Sequence, residues 1–265
     1  MRTHSKSPAI LMASITLVIL LNSCRQDIQS IHSLLPLING TPSITGNPEY
    51  IKSPYTTAGN RLYMIGFQDG TFPEMGFHTP GEMGGIWDHP IKLMDGFDVE
   101  LTEKSTANSV HLDKADTFIN YPFANKHIYH IKAPDIDVTR FQFVPDSLQG
   151  IIIEFDIKNI GATTLDLSFR LKGSVDLSPA WLAERINIKN GKDILSRDEK
   201  NNAIVGKDSL NDWYVAFCSG LSQEIVLDKK DPSKRFPRNQ FLSFAGRNKN
   251  YSLYTLPGHI NQKTT

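Results

Sequence analysis

Polar and aromatic residues that suit a sugar-binding site cluster in a glycine-rich segment, residues 61–101. This segment holds seven glycines, three prolines, two histidines and one tryptophan. Glycine is used where the backbone turns sharply or approaches another group closely. Trp87 could stack on the C–H face of a sugar ring. Four nearby side chains could hydrogen-bond sugar hydroxyls: His78, Glu82, Asp88 and His89.

The same residues allow two other interpretations. One is a long loop across the end of a β-sandwich, with Trp87 filling the core and the glycines serving turns. The other is a metal site made of His78, Glu82 and His89, since histidine and carboxylate are suitable ligands. Their spacing matches no compact metal motif, so we predict neither a metal nor a cofactor.

Further polar residues give weaker signals. Paired carboxylates can hydrolyse glycosides, but Glu82, Asp88 and Asp95 look no different from solvated loop acids. His127 and His130 are three apart on a predicted strand and would point to opposite faces. No nucleophile elbow, phosphate-binding loop or zinc signature is present.

Short strands with period-two alternation dominate the sequence after residue 50. Apolar residues alternate with polar ones in two neighbouring segments, at Ile151, Ile153, Phe155 and Ile157 and then at Leu165, Leu167, Phe169 and Leu171. This pattern predicts two adjacent antiparallel strands joined by a turn at 159–163, each with one face on a core. We expect Ile153, Phe155, Leu167 and Phe169 to be buried.

Three other signals complete the predicted fold. Thr139, Phe141 and Phe143 indicate a third strand, and Asn190-Gly191 indicates a tight hairpin. Ser178 and Pro179 are suited to the start of a short helix over 178–183. We therefore predict an all-β protein, an antiparallel β-sandwich with long loops and at most one short helix.

The first 24 residues resemble a bacterial lipoprotein signal peptide. A charged start precedes the short apolar run 9–21 and the tetrapeptide Leu21-Asn22-Ser23-Cys24. We predict that Cys24 is lipidated, although an ordinary secretory signal is the alternative. The mature protein would then be anchored to a membrane of the bacterial cell envelope through acyl chains. The turn-rich residues 25–50 would be a flexible tether and 51–265 the β-sandwich domain.

Charge and the second cysteine exclude some functions. The chain has 28 basic and 28 acidic residues, so its formal charge is zero and it lacks the basic excess of nucleic-acid binders. Cys218 lies in an apolar, strand-like run, which suggests a small buried hydrophobe and not a nucleophile.

One segment resembles a known family. Residues 84–97, GGIWDHPIKLMDGF, together with the strands after residue 139 and the run 174–181, SVDLSPAW, resemble the N-terminal region of bacterial glycogen-debranching-type or six-hairpin glycosidases. The resemblance covers about residues 50–219. It implies a supersandwich-like domain packed on an (α/α)6 barrel that carries the catalytic carboxylates. Residues 84–90, GGIWDHP, would then face the barrel, with Trp87 packed between it and the sandwich.

Six helical hairpins do not fit in the residues after 219, so the sequence looks truncated before such a barrel. The resemblance therefore implies no catalytic residue in this chain, and its status as an enzyme stays open. It implies a substrate-side or scaffolding domain of a lipid-anchored glycoside hydrolase, with carbohydrate and a barrel domain as partners. A stand-alone carbohydrate-binding surface lipoprotein is the main alternative, and a purely structural interaction domain is the third.

Overall fold

The computed structural model describes residues 33–78, 81–146, 148–180, 187–219, 224–227, 239–247 and 250–255. All of these except Ser33 belong to one compact unit, Leu34–Thr265; the other unit, Met1–Ser33, falls almost wholly outside them. The predicted signal peptide and Cys24 therefore also lie outside the described residues.

The described residues confirm an all-β fold, with two short 3-10 helices at Leu35–Ile38 and Pro48–Tyr50. None of the helices in this part of the chain is long and apolar enough to cross a membrane. The strands, in chain order, are β1 (Ile44–Thr45), β2 (Pro54–Ala58), β3 (Tyr63–Phe67), β4 (Gly85–Asp88), β5 (Ile91–Glu103), β6 (Asn108–His111), β7 (Thr117–Asn120), β8 (Ala124–Lys132), β9 (Asp135–Phe143), β10 (Ile152–Asn159), β11 (Asp166–Pro179), β12 (Asp193–Asp198), β13 (Ala203–Asp208), β14 (Tyr214–Cys218), β15 (Glu224–Leu227), β16 (Asn239–Arg247) and β17 (Asn250–Thr255).

Antiparallel pairing joins these strands into three sheets. A six-stranded sheet has the order β1-β7-β8-β9-β10-β17, and an eight-stranded sheet has the order β15-β16-β11-β5-β4-β3-β2, with β6 paired to β5. A smaller sheet has the order β12-β13-β14. Residues from all three sheets share one hydrophobic core, so the architecture is the predicted antiparallel sandwich with a third sheet added.

The burial predicted from period-two alternation is confirmed, but the predicted pairing is wrong. Ile153, Phe155, Leu167 and Phe169 are all buried. However, β10 lies in the six-stranded sheet and β11 in the eight-stranded sheet. The chain crosses between the sheets at residues 160–165, and the rings of Phe155 and Phe169 meet with centroids 5.0 Å apart. Alternation specifies which face is buried, but it does not specify the partner strand.

The third predicted strand is confirmed as β9, which pairs with β10. Both faces of β9 are covered. Phe141 points away from the main core and packs in a second cluster with Ile38 and Ala124. The segment 33–50, predicted as part of a tether, therefore packs on the domain, and Ile44 also pairs with Asn120. Residues 25–32 lie outside the described part of the chain.

Two local predictions need correction. Asn190-Gly191 does not form the hairpin, because β12 begins at Asp193 and pairs with β13 through a turn at 199–202. Asp198 stabilises that turn by accepting hydrogen bonds from the backbone and side chain of Asn201. Ser178 and Pro179 end strand β11 and do not begin a helix. Residues 181–183 of that predicted helix are not among the described residues.

Cys218 is half-buried in β14, and burial raises the pKa of its thiol. A raised pKa leaves little thiolate at neutral pH, which agrees with the prediction of a weak nucleophile.

A buried polar layer joins the two large sheets around Arg140. Its Nη1 donates to the Gly70 carbonyl at 2.9 Å, and its Nη2 lies 3.2 Å from the Tyr55 hydroxyl and 3.4 Å from His127 Nε2. The guanidinium carbon is 5.0 Å from the centroid of the Phe97 ring, which is cation–π geometry. Arg140 on β9 thus contacts elements of the opposite sheet and the loop after β3.

The two histidines of β8 point to opposite faces, as predicted, and they have opposite pKa shifts. Burial, and secondly the charge of Arg140, lowers the pKa of His127 well below 6.5. His130 is exposed, and a hydrogen bond to Asp137 raises its pKa.

These shifts predict opposite effects on acid stability. Below about pH 6.5 the unfolded chain protonates His127 and the folded chain does not, so stability falls as pH falls from about 6.5 toward the lower folded pKa. His127→Gln should make this acid loss shallower. His130 contributes stability that is present at acid pH and lost as pH rises through its raised pKa, so His130→Gln should make the acid loss steeper. Urea unfolding between about pH 5 and pH 7.5 measures both slopes, and equal slopes in the two variants would contradict the assignment.

Candidate functional site

The loop between β3 and β4, residues 68–84, is the candidate binding loop, and it carries two of the predicted side chains. The Glu82 carboxylate accepts from the backbone nitrogens of Phe77 at 2.7 Å and His78 at 2.8 Å. The same oxygen lies 3.2 Å from His78 Nδ1. One carboxylate therefore ties the tip of the loop into a turn, which leaves the Phe77 ring 90% exposed.

Lys92 anchors this loop to the sheet. Its buried ammonium donates to the Gly81 carbonyl at 2.8 Å and to Asp95 Oδ1 at 2.5 Å, and it lies 3.3 Å from Asp176 Oδ2. An ammonium has three protons to donate, and these three oxygens surround it. Lys92 thus holds the candidate binding loop in place, and the two carboxylates compensate its buried positive charge.

β-Bulges explain why these side chains converge. The register between β11 and β5 shifts at Ser174/Val175 and again before Ser178. Another shift separates Ile86 from Trp87 where β4 pairs with β5. Bulges re-aim side chains relative to a regular ladder. Lys92, Asp95 and Asp176 all lie within this irregular region.

Burial and the Lys92 ammonium act in opposite directions on the pKa of Asp95. Desolvation raises the pKa of Asp95, and the neighbouring Asp176 carboxylate adds to that rise. The Lys92 ammonium opposes both effects. The direction shows that burial of the Asp95 carboxylate outweighs the attraction of the nearby cation.

Trp87 packs in the core, so the stacking role predicted for it is wrong. Its side chain is only 4% exposed, and its Nε1 donates to the Gly84 carbonyl at 3.0 Å. The indole stacks on the Tyr63 ring with centroids 6.2 Å apart and an angle of 4° between the planes. A side chain this deeply buried offers no free ring face to a ligand, whether that ligand is a sugar or a partner domain. The alternative considered above, a tryptophan that fills the core, describes its position.

Asp88 and His89 follow Trp87 at the turn from β4 to β5. Asp88 accepts from Gln149 Nε2 at 3.3 Å, and the exposed His89 has its ring 6.4 Å from that of Trp87. The structure thus joins His78 to Glu82, and His89 to Trp87. Their hydrogen-bonding toward a sugar remains a prediction.

Lys92 is the site residue that sequence reasoning missed. It stands between Ile91 and Leu93 in an apolar strand, where a lysine is rarely buried unless it is paired. That position was the available signal. Its partner Asp95 stood out in the sequence only as a possible acid, and Asp176 only as part of the run 174–181. In the part of the chain that the structure describes, no three His, Cys, Asp or Glu residues come together as a metal site.

Solved structures resemble this fold at low sequence identity. A structure from the human microbiome named as a kojibiose phosphorylase matches with a TM-score of 0.50 and 10% identity, over 83% of this chain and 33% of that chain. A glycoside hydrolase family 36 α-galactosidase of Geobacillus stearothermophilus, in complex with raffinose, matches with a TM-score of 0.42 and 8% identity. This second match covers 79% of this chain and 41% of the α-galactosidase.

The chain therefore spans about a third of the length of the first of these proteins. The likeness to the kojibiose phosphorylase shows a shared fold. No family model matches the sequence, and no curated protein matches it.

We expect Trp87→Ala to cost about 3–5 kcal/mol of stability, because it removes a buried aromatic ring. Phe77→Ala is the matched control, because its ring is exposed and its loss should change stability by about 0.5 kcal/mol or less. Urea unfolding followed by circular dichroism measures both. A loss well under 1 kcal/mol in Trp87→Ala would show that the indole is not part of the core.

Proposed function

We propose that this chain is the N-terminal, substrate-side or scaffolding domain of a secreted, lipid-anchored glycoside hydrolase that acts on oligo- or polysaccharides. On this proposal the catalytic carboxylates belong to an (α/α)6 barrel and none lies in this chain. The protein resides in the bacterial cell envelope.

The observation that carries the proposal is the extent of the fold likeness. The match to the kojibiose phosphorylase covers most of this chain but only a third of the other protein. A domain related in this way corresponds to one part of a larger enzyme. Fold alone does not define activity, so the substrate class rests on the resemblance of residues 84–97 to six-hairpin glycosidases.

The candidate binding loop supports a role on the substrate side. Glu82 and Lys92 fix its backbone, and Phe77 and His78 project from it. An aromatic ring held in solvent on a tied loop suits contact with the apolar face of a sugar. His78, whose side chain is 58% exposed, supplies a hydrogen-bonding group next to that ring.

Oligosaccharide binding without hydrolysis is the outcome that the proposal predicts for this chain. We expect purified residues 25–265 to bind oligosaccharides on a glycan array and to leave α- and β-glucosides intact, because hydrolysis needs an acid pair held across a cleft. Phe77→Ala should weaken binding. Phe123→Ala, which also removes an exposed ring, should not. Hydrolysis by this chain alone would overturn the assignment of catalysis to a barrel.

Lipid anchoring has its own test. Cys24→Ala should release the protein from the membrane fraction, because acyl chains on that residue provide the anchor. Cys218→Ala is the control and should stay with the membrane. Persistence of Cys24→Ala in the washed membrane fraction would contradict lipidation at this residue.

The exposed Phe77 also favours the second candidate, a stand-alone carbohydrate-binding surface lipoprotein. The two candidates differ in what the gene encodes directly downstream. A barrel of six helical hairpins there supports the hydrolase domain, and its absence supports the binding module.

A further inference from the structure

A cavity of about 270 Å³ lies on the eight-stranded sheet, away from Trp87, and it has no assigned role. Strands β5 and β11 form its base, and residues 70–72 and 112–113 form its side walls. Drug-sized ligands occupy about 300–1,000 Å³, so this volume suits a smaller molecule, on the scale of a single sugar ring. Its polar and aromatic lining includes Asp95, Asp98, Asp113, Lys172, Ser174 and Phe72.

The walls of the cavity are built rigidly. The Phe72 ring lies directly against Gly96, where a Cβ atom would come within 2.3 Å of Phe72 Cγ. Gly96 also has a φ of +140°, a conformation that favours glycine. On the other side, the Gly70 carbonyl is held by Arg140. These contacts fix the shape of the cavity without a ligand, which reduces the entropy cost of binding.

The lining chemistry matches a neutral polyhydroxylated ring. Three aspartates supply acceptors for hydroxyl groups, and Lys172 and Ser174 supply donors. The Phe72 ring, which packs against the buried Phe97 ring, offers an apolar surface to C–H groups. The Lys92 ammonium compensates the charge of Asp95. Asp98 and Asp113 against Lys172 then leave the lining with an excess of one negative charge, which disfavours anionic ligands.

We propose that this cavity is a monosaccharide-binding subsite that accepts a neutral hexose and rejects its phosphorylated form. Asp98 and Lys172 hydrogen-bond the ring hydroxyls, and Phe72 supports the apolar face. The subsite uses residues 70–72 at the start of the candidate binding loop, whereas Phe77 and His78 at the tip of that loop do not line it. The inference rests on the proposed function and deepens it by adding a second point of contact for a carbohydrate.

Titration of the full chain with D-glucose and with D-glucose 6-phosphate, followed by NMR, tests the proposal. Glucose should bind weakly and saturably, and the phosphate should bind at least about ten-fold more weakly. Asp98→Asn and Lys172→Met should each raise the glucose Kd by about ten-fold, because each removes a charge-assisted hydrogen bond. Glu100→Gln is the matched control: Glu100 lies on the same strand, pairs with Arg170 at 2.9 Å, and should leave the Kd unchanged.

Thermal unfolding of each variant checks that the fold is intact. The Asp98–His111 pair is half-exposed, so its loss should barely change stability. Three results would overturn the proposed subsite. They are absence of glucose binding, equal affinity for glucose and glucose 6-phosphate, and an unchanged glucose Kd in both Asp98→Asn and Lys172→Met. Such a result would not contradict the proposed role of Phe77 in oligosaccharide binding. Conversely, unchanged array binding in Phe77→Ala together with normal glucose binding would contradict the role of Phe77 and support the subsite.

Discussion

The buried guanidinium of Arg140 holds the two large sheets in their arrangement. It lies on β9 of one sheet and reaches Tyr55 on β2 of the other, while it also binds the Gly70 carbonyl. Taking a charge out of water is costly unless hydrogen bonds and neighbouring groups compensate. Each contact of Arg140 therefore constrains an element: a strand, a loop and the Phe97 ring beneath it. The polar layer specifies how the sheets meet, which apolar burial alone leaves loosely defined.

Lys92 repeats this design at the other end of the loop that follows β3. Arg140 binds the carbonyl of Gly70 near its start, and Lys92 binds the carbonyl of Gly81 near its end. A long loop normally keeps much of its conformational entropy. Two buried cations, each held in place by other partners, remove that freedom at both ends. The described residues of the loop, 68–78 and 81–84, become part of the scaffold, and Phe77 among them is exposed.

The sequence predicted which side chains are buried, but it was less informative about strand partners and about the roles of Trp87 and Lys92. Alternation predicted that Phe155 and Phe169 are buried, because a two-residue period directly reports the side of a strand. It could not show that they face each other across the sandwich, since strand partners depend on long-range topology. Trp87 was ambiguous for a related reason: glycine-rich flanks fit both a loop and a bulged strand. Lys92 was missed because its partner Asp176 lies far along the chain, and proximity across a bulge leaves no local pattern.

The placement of the fixed elements indicates what such a domain is suited to do. A surface that reorganises on binding loses affinity to the ordering of its side chains and loops. Here Gly96 lets the Phe72 ring pack against the sheet, and Glu82 ties the turn that carries Phe77. Both the cavity wall and the loop tip are thus formed before any ligand arrives. On the proposed function, this rigidity would favour holding a carbohydrate in a fixed orientation over closing around it. A substrate-side domain would need that property if the reacting groups belonged to another part of the enzyme.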